Sequence, residues 1–202
     1  MRIAVMGTGG MGGFYGGRLA SNGENVTFIA RGAHLDAMRT NGLKLEGPNG
    51  DILISPAQAT DDPATIGAPV DVVLFCVKLY DLDTAAGLIE PIVGDETLVI
   101  SLMNGVDGPE RLAGLLGKGR VLGGAAYDSA TIRAPGVIED RTGPNRLVMG
   151  TLGGGSNARV EAFAGAGRAA GFDMVVSDNI ARTLWEKYVL LATNAGLTAL
   201  TR

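Results

Sequence analysis

A glycine-rich segment that directly follows a short apolar run near the amino end constrains the fold most strongly. Gly7-Thr8-Gly9-Gly10-Met11-Gly12 follows the apolar residues 3–6, and apolar side chains then recur at helical spacing over residues 10–22. A second β-rich run at residues 25–30 completes a strand, turn, helix and strand within about 30 residues. This order predicts a βαβ unit with parallel strands.

The same segment predicts a binding site for a dinucleotide. The first glycine permits a tight turn, the second lets the backbone approach a pyrophosphate, and the third lets the helix pack closely on the strand. The helix N-terminus offers unpaired N–H groups and the positive end of the helix dipole to an anion. We therefore expect the cofactor phosphates at Gly7, Thr8, Gly9, Gly10, Met11 and Gly12; a glycine turn without a ligand is the alternative.

The rest of the chain continues the alternation of strands and helices. The nearly continuous apolar run at residues 70–77 is typical of a strand buried on both faces near the centre of a sheet. Further strands are predicted at residues 98–102, 120–125 and 172–176, and helices at 33–40, 82–89, 109–116 and 160–170. The predicted fold class is α/β, a Rossmann-type, doubly wound and mostly parallel sheet.

Three segments depart from that alternation. Residues 43–46 and 52–55 flank Gly47-Pro48-Asn49-Gly50 and predict a β-hairpin. Residues 137–140 and 146–150 predict an antiparallel pair at one sheet edge. A helix from residue 180 onward carries an apolar stretch and has no stop signal.

From these patterns we expect two domains. Residues 1–178 are predicted to form an NADP-binding Rossmann domain. Residues 179–202 are predicted to begin a second, truncated domain. The alternative is that the last helix packs back on the sheet.

Composition and charge exclude several classes of partner. The 202 residues carry a formal net charge of −4 without a basic stripe, which disfavours nucleic acid and anionic membrane surfaces. No apolar run approaches the roughly 20 residues of a membrane span. The single cysteine, Cys76, cannot form an internal disulfide, and we expect a cytoplasmic protein. One histidine and one cysteine give no ligand cluster, so no metal site is expected. A small molecule remains as the expected partner.

The residue that follows the second strand indicates which nicotinamide cofactor binds. An acidic side chain at this place accepts hydrogen bonds from a ribose 2′-OH, whereas an arginine accommodates a 2′-phosphate. Here Ala30-Arg31-Gly32 supplies an arginine and no acid. We predict NADP with Arg31 on the phosphate, the alternative being a solvated loop arginine.

Two polar residues follow neighbouring predicted strands. Lys78 comes directly after residues 70–77, and Asn104 follows residues 98–102. The carboxyl ends of parallel strands meet at one sheet edge, where ligands bind in open α/β sheets. Lys78 and Asn104 are therefore candidates for contacts with cofactor and substrate. A snorkelling surface lysine and a helix-capping asparagine are the alternatives.

A third candidate lies on the last helix. Lys187 and Asn194 are seven residues apart, so a helix places them on nearly the same face two turns apart. A lysine in a partly dry cleft can give a proton to the alkoxide formed when a ketone is reduced. Spacing alone favours a solvent-facing Lys187. The chain's one histidine, His34, is expected on the adenosine side of the cofactor and is not expected to be the acid.

Taken together, these motifs resemble the ketopantoate reductase (2-dehydropantoate 2-reductase) family over essentially the whole chain. The resemblance is carried by Gly7-x-Gly9-x-x-Gly12, Cys76-Val77-Lys78, Asn104-Gly105, Leu122-Gly123-Gly124, Pro135-Gly136 and Leu184-Trp185-Glu186-Lys187. It implies NADPH bound by the glycine turn, Arg31 and Lys78, with Asn104 positioning nicotinamide and substrate and Lys187 as the proton donor. The implied reaction is reduction of 2-dehydropantoate to pantoate, a step toward pantothenate and coenzyme A.

Two departures from the family keep alternatives open. The family places substrate-binding asparagines along the last helix, whereas this chain has Leu191 at the nearer position and an asparagine at Asn194. The family also continues into an all-helical C-terminal domain for substrate binding and dimerisation, so the resemblance implies that residues 179–202 begin that domain, truncated, and that a homodimer can form. A reductase of another 2-oxo acid and a non-catalytic NADP-binding fragment are the alternatives.

Overall fold

The computed structural model describes residues 1–48, 50–142 and 145–201 and contains both strands and helices. The strands of the described residues are β1 (Arg2–Met6), β2 (Asn25–Ile29), β3 (Leu43–Glu46), β4 (Ile52–Ile54), β5 (Gln58–Thr60), β6 (Val72–Phe75), β7 (Leu98–Ser101), β8 (Val121–Ala126), β9 (Ser129–Ala134), β10 (Val137–Thr142), β11 (Arg146–Thr151) and β12 (Asp173–Val176). The α-helices are α1 (Gly10–Ser21), α2 (Gly32–Asn41), α3 (Leu82–Ile89), α4 (Gly108–Leu116), α5 (Ala158–Ala169) and α6 (Ile180–Leu200).

The main sheet has the strand order β12-β11-β8-β7-β6-β1-β2-β5. From β5 to β8 all neighbours are parallel, and β1 lies between β2 and β6. The unit β1, α1 and β2 is the predicted βαβ unit. The mostly parallel, doubly wound α/β sheet is therefore confirmed.

Two apolar layers cover the two faces of this sheet. Phe14 of α1 and Phe163 of α5 belong to one buried cluster, whereas Leu82 of α3 and Leu112 of α4 belong to the other. The side chains of Val72–Phe75 have no solvent exposure, because β6 lies inside the sheet with a helical layer on each side. Burial on both faces explains why the sequence at residues 70–77 is almost continuously apolar.

A second, smaller sheet covers the outer face of α1. Its strand order is β4-β3-β10-β9, and Leu45 and Ile138 contribute to the same buried cluster as Phe14. The predicted hairpin is confirmed as the antiparallel pair of β3 and β4. Asn49 of its predicted turn lies outside the described residues.

The predicted pairing of residues 137–140 with 146–150 is wrong. Strand β10 pairs with β9 and β3 in the small sheet, whereas β11 pairs with β8 and β12 in the main sheet. The two strands differ in character: Leu147, Val148 and Met149 are all buried, which requires cover on both faces, whereas β10 carries Glu139, Asp140 and Arg141. The antiparallel edge itself is confirmed, because β11 and β12 run opposite to the other strands of the main sheet.

The last helix is attached to the sheet by its first turns. Asn179 caps it, accepting a hydrogen bond from the Arg182 N–H at 3.1 Å, and Ile180 and Leu184 are the buried residues of α6. These two side chains pack with Ala125 and Val148. Large apolar side chains farther along α6, such as Leu197, are exposed. In the part of the chain that the structure describes, no helix has both the length and the hydropathy of a membrane span.

Candidate active site

The glycine turn sits between the end of β1 and the start of α1. Gly7 has a φ of 91°, a left-handed conformation that suits glycine. Gly9 is the N-cap of α1 and has no side chain to cap the helix, and a Cβ placed on it would meet no atom within 4 Å. The backbone at Gly9 is therefore open on the side from which an anion would approach the helix N-terminus.

A cavity of about 330 Å³ lies next to this turn. Of the predicted cofactor residues, Gly7, Thr8, Gly9, Arg31 and Lys78 line it. Gly10 and Gly12 are absent from its described lining: a Cβ on Gly10 would meet the Ala130 carbonyl oxygen, and one on Gly12 the Gly7 carbonyl oxygen. Gly10 and Gly12 therefore allow close packing of α1, whereas Gly7, Thr8 and Gly9 line the cavity.

Arg31 lies at the mouth of this cavity. It is the N-cap residue of α2 and is exposed, directly beyond the end of β2. The Arg31 guanidinium is therefore accessible to a ligand in the cavity. Recognition of a 2′-phosphate by Arg31 stays a prediction.

His34 lines the same cavity from the first turn of α2. Its Nδ1 accepts a hydrogen bond from the Gly136 N–H at 3.0 Å, which connects α2 to the turn between β9 and β10. Burial lowers the pKa of His34, so the neutral imidazole is favoured. Its Nε2 is buried without a hydrogen-bond partner among the described residues. His34 does not line the cavity that contains Lys187.

The second cavity has a volume of about 550 Å³ and adjoins the first. Cys76, Val77 and Lys78 line both. Asn104, beyond the end of β7, and Lys187, on α6, line the second cavity, as does Met11 of the glycine segment. The strand ends of β1, β6, β7 and β8 thus deliver their following residues to one edge of the sheet, as parallel strands require.

Lys187 and Asn104 are in direct contact although they are 83 residues apart in sequence. The Lys187 Nζ donates a hydrogen bond to the Asn104 Oδ1 at 3.2 Å. It also lies 5.8 Å from the centre of the Tyr127 ring, within the range of a cation–π contact. Burial lowers the pKa of Lys187, and the charge of Asp128 opposes this shift. The solvent-facing orientation that spacing favours is therefore wrong, because the side chain is partly buried in the cavity.

The structure does not bring Asn194 to this cavity. Leu190 and Leu191, one turn beyond Lys187, line its wall, and Asn194 lies a further turn along α6 and is exposed. The Asn194 carbonyl oxygen accepts a hydrogen bond from the Thr198 hydroxyl at 2.6 Å. Of the three predicted substrate residues, Asn104 and Lys187 meet and Asn194 stays apart.

Sequence analysis missed three residues of this region: Tyr15, Tyr127 and Asp128. Tyr127 and Asp128 follow β8, and both line the second cavity. Tyr15, buried in α1, donates a hydrogen bond to Asp128 Oδ2 at 2.5 Å. The signal was available for two of them, since Tyr127 and Asp128 follow a predicted strand just as Lys78 and Asn104 do. No local pattern links Tyr15 to a residue 113 positions away.

Comparison with known proteins identifies the group to which this arrangement belongs. Residues 3–154 match the family model described as ketopantoate reductase PanE/ApbA. The chain belongs to the ketopantoate reductase family. The matched span includes the glycine turn, Arg31, Lys78 and Asn104, whereas Lys187 lies beyond it.

Individual ketopantoate reductase relatives extend the match along the chain. A 2-dehydropantoate 2-reductase from Pyrococcus horikoshii is 35% identical over 190 residues, which are 94% of this chain and 60% of that protein. The crystal structure of 2-dehydropantoate 2-reductase from Porphyromonas gingivalis superposes with a TM-score of 0.92 at 34% identity, covering 98% of this chain and 71% of that one.

A more distant structure shares the fold of this family. The ternary structure of D-mandelate dehydrogenase with NADH and anilino(oxo)acetate has a TM-score of 0.83 at 22% identity, covering 93% of this chain and 60% of that one. NADH and anilino(oxo)acetate are the ligands of that protein, and at this identity the match shows a shared fold. The chain spans between 60% and 65% of the length of the first curated relatives that it matches.

Among residues 1–48, 50–142 and 145–201, no group of three or more His, Cys, Asp or Glu side chains could hold a metal ion. Burial raises the pKa of the Cys76 thiol to about 12, so the cysteine between the two cavities is neutral near pH 7. The polar side chains that line the second cavity are those of Lys78, Tyr80, Asn104, Tyr127, Asp128 and Lys187.

Proposed function

We propose that this chain reduces 2-dehydropantoate to pantoate with NADPH, a step in pantothenate and coenzyme A biosynthesis. The observation that carries the proposal is the hydrogen bond between Lys187 and Asn104 at the same sheet edge as the glycine turn. Family membership supports the reaction type, and Arg31 supports NADPH as the cofactor.

The residues around the first cavity fit a dinucleotide. The open backbone at Gly9 and the uncapped start of α1 would receive the pyrophosphate, and Arg31 would pair with a 2′-phosphate. Lys78 would contact the cofactor where the two cavities join. When bound, NADPH supplies a hydride to the carbonyl carbon of the substrate.

Lys187 and Asn104 would handle the charge that develops on the carbonyl oxygen. In the protonated form, the Lys187 Nζ–H bond breaks and an O–H bond forms on the substrate, and the neutral amine then regains a proton from water. Before transfer, the positive charge of Lys187 stabilises the developing alkoxide. Asn104 holds the ammonium in place through its Oδ1 and leaves its side-chain N–H₂ free to donate.

A second candidate function is reduction of a different 2-oxo acid. Leu190 and Leu191 line the cavity where the family pattern has an asparagine, and Asn194 lies outside. An apolar wall favours a substrate with an apolar side chain and offers no hydrogen bond to a substrate hydroxyl. The choice between 2-oxo acids is therefore a separate question from the reaction type.

The test is turnover by the purified chain and by Lys187→Ala. We expect oxidation of NADPH in the presence of 2-dehydropantoate, and a loss of about 10²- to 10⁴-fold in kcat in Lys187→Ala, the usual contribution of a general acid. Lys118→Ala, which removes an exposed lysine from the turn before β8, is the matched control and should retain activity. The same assay with other 2-oxo acids decides between the two substrates.

Two outcomes would contradict the proposal. Tight NADPH binding without turnover of any 2-oxo acid would leave a non-catalytic nucleotide-binding protein. Turnover that survives in Lys187→Ala would assign the proton to another group.

A further inference from the structure

The cavity that contains Lys187 is lined by one carboxylate among its described residues, that of Asp128. Asp128 lies in the short connection between β8 and β9, next to Tyr127, whose ring the Lys187 ammonium approaches. Among the described residues, no carboxylate lies within 4.0 Å of the Lys187 Nζ, and its hydrogen-bond partner Asn104 is uncharged. Asp128 is therefore the carboxylate that shares this cavity with Lys187.

The Asp128 side chain is fixed from the opposite side by Tyr15. Tyr15 is 1% exposed, and its hydroxyl donates to Asp128 Oδ2 at 2.5 Å and also approaches the Arg146 carbonyl oxygen at 3.3 Å. Burial and the neighbouring Asp128 raise the pKa of Tyr15, so the hydroxyl keeps its proton and acts as a donor. Burial raises the pKa of Asp128, and the hydrogen bond from Tyr15 opposes that rise because it favours the anion. Backbone N–H groups of Asn145 and Arg146 also favour the anion, whereas the charge of Asp140 on β10 adds to the rise.

Several other groups could set the charge of Lys187. The titratable groups that surround it are Cys76, Lys78 and Tyr80 after β6, Tyr127 and Asp128 after β8, and Glu186 and Tyr188 on α6. The Cys76 thiol is neutral, and Lys78 carries the same charge as Lys187. Glu186 is held in an ion pair with Arg182 at 2.8 Å and does not line the cavity. Among the described residues that line this cavity, Asp128 is the group whose charge favours the ammonium form.

We propose that Asp128, anchored by Tyr15, is a positioning residue that keeps the Lys187 amine protonated in this partly dry cavity. Its consequence for catalysis rests on the proposed function, since a protonated Lys187 is needed there as the acid. The physical basis is that an isolated ammonium is costly to bury, while an opposite charge fixed across the cavity offsets part of that cost. Neither residue needs to touch the other for this effect.

The direct test is the titration of Lys187 itself. The chain has four lysines, so a ¹³C-labelled lysine NMR spectrum is simple, and the signal missing from Lys187→Ala assigns Lys187. In Asp128→Asn we expect Lys187 to lose its proton at a lower pH than in the unmodified chain. Glu186→Gln, which neutralises the adjacent carboxylate on α6, is the matched control and should leave the titration unchanged. Tyr15→Phe removes the hydroxyl that holds Asp128 and keeps the aromatic ring in place. It should shift the Lys187 titration in the same direction, and it tests the role of Asp128 if Asp128→Asn does not fold.

The same variants give an activity readout. Because the acid must be protonated, turnover falls as pH rises through the Lys187 titration, and a lower titration point starts this fall earlier. We expect kcat of Asp128→Asn to be about three- to tenfold lower at alkaline pH and nearly unchanged at pH 6.

Unchanged Lys187 titration in folded Asp128→Asn and Tyr15→Phe would overturn the role of Asp128. A shifted titration in a chain without turnover would support Asp128 and reject the proposed function, so the two failures are distinguishable.

Discussion

At the scale of single residues, Arg31 decides more than its exposure suggests. Arg31 lies between β2 and α2, at the mouth of the cavity beside the glycine turn. The sequence Ala30-Arg31-Gly32 places no acidic side chain directly after β2. A guanidinium at this place can bind a phosphate through two parallel hydrogen bonds, whereas it gains little from a ribose hydroxyl. Cofactor choice should therefore depend on this side chain.

The corresponding prediction concerns Arg31→Ala. We expect NADPH binding to weaken by about 10- to 100-fold, since a hydrogen bond to a charged group contributes roughly 1.5–3 kcal/mol, and NADH binding to change little. Isothermal titration calorimetry with both cofactors measures this. Arg39→Ala removes an exposed arginine of the same helix that pairs with Asp61 and is the control. Equal losses for the two cofactors would remove Arg31 from phosphate recognition.

Residues with a local signal could be predicted from the sequence, and residues defined by distant contacts could not. Lys78 and Asn104 follow apolar strands, and the parallel sheet brings them together. Lys187 was a candidate by residue type, but its orientation depends on where α6 docks, which helical spacing does not determine. The contact of Tyr15 with Asp128 joins α1 to a connection far along the chain, and periodicity carries no information on it.

At the scale of elements, the strands of the main sheet were predictable and those of the small sheet only in part. The apolar runs of β1, β6 and β7 are buried on both faces, so their composition identifies them. The short strand β5 and the polar strand β9 lack such a run and were missed. Because β9 was missing, β10 had no partner in the prediction and was paired with β11. The pairing error follows from an undetected neighbour and not from a wrong strand.

The contact between β9 and α1 gives a prediction at this scale. A Cβ on Gly10 would lie 2.0 Å from the Ala130 carbonyl oxygen, a backbone atom that cannot rotate away. We expect Gly10→Ala to lower the free energy of unfolding by about 1–3 kcal/mol, the usual cost of overpacking. Urea unfolding measures it. Gly87→Ala in α3, where a Cβ meets no atom within 4 Å, is the control and should stabilise by about 0.5–1 kcal/mol. Equal stability of the two variants would contradict the tight contact.

At the scale of the whole molecule, the two cavities share lining residues, but the elements that carry their other residues are buried to different extents. Gly7, Thr8 and Gly9 extend from β1 in the interior of the main sheet. Lys187 is carried by α6, a helix of 21 residues whose buried members are Ile180 and Leu184. Few buried apolar contacts imply a low free energy of local opening. The helix that bears the proposed acid should open more easily than the strands that bear the nucleotide turn.

This difference predicts that NADPH binding and turnover are lost at different urea concentrations. With increasing urea, we expect turnover to disappear before NADPH binding, and amide hydrogens of α6 to exchange faster than those of β1 and β6. Enzyme assays, fluorescence of bound NADPH and hydrogen exchange followed by mass spectrometry measure the three quantities. Coincident midpoints would show that α6 and the sheet unfold as one unit.

Because few side chains of α6 are buried, loss of its packing on the sheet would affect one step of the proposed reaction before the others. A disturbance confined to the docking of Ile180 and Leu184 on the sheet would leave a chain that still sequesters reduced nucleotide but cannot complete proton delivery. Because the loss would be confined to one helix, turnover under the proposed function should return once α6 docks on the sheet again.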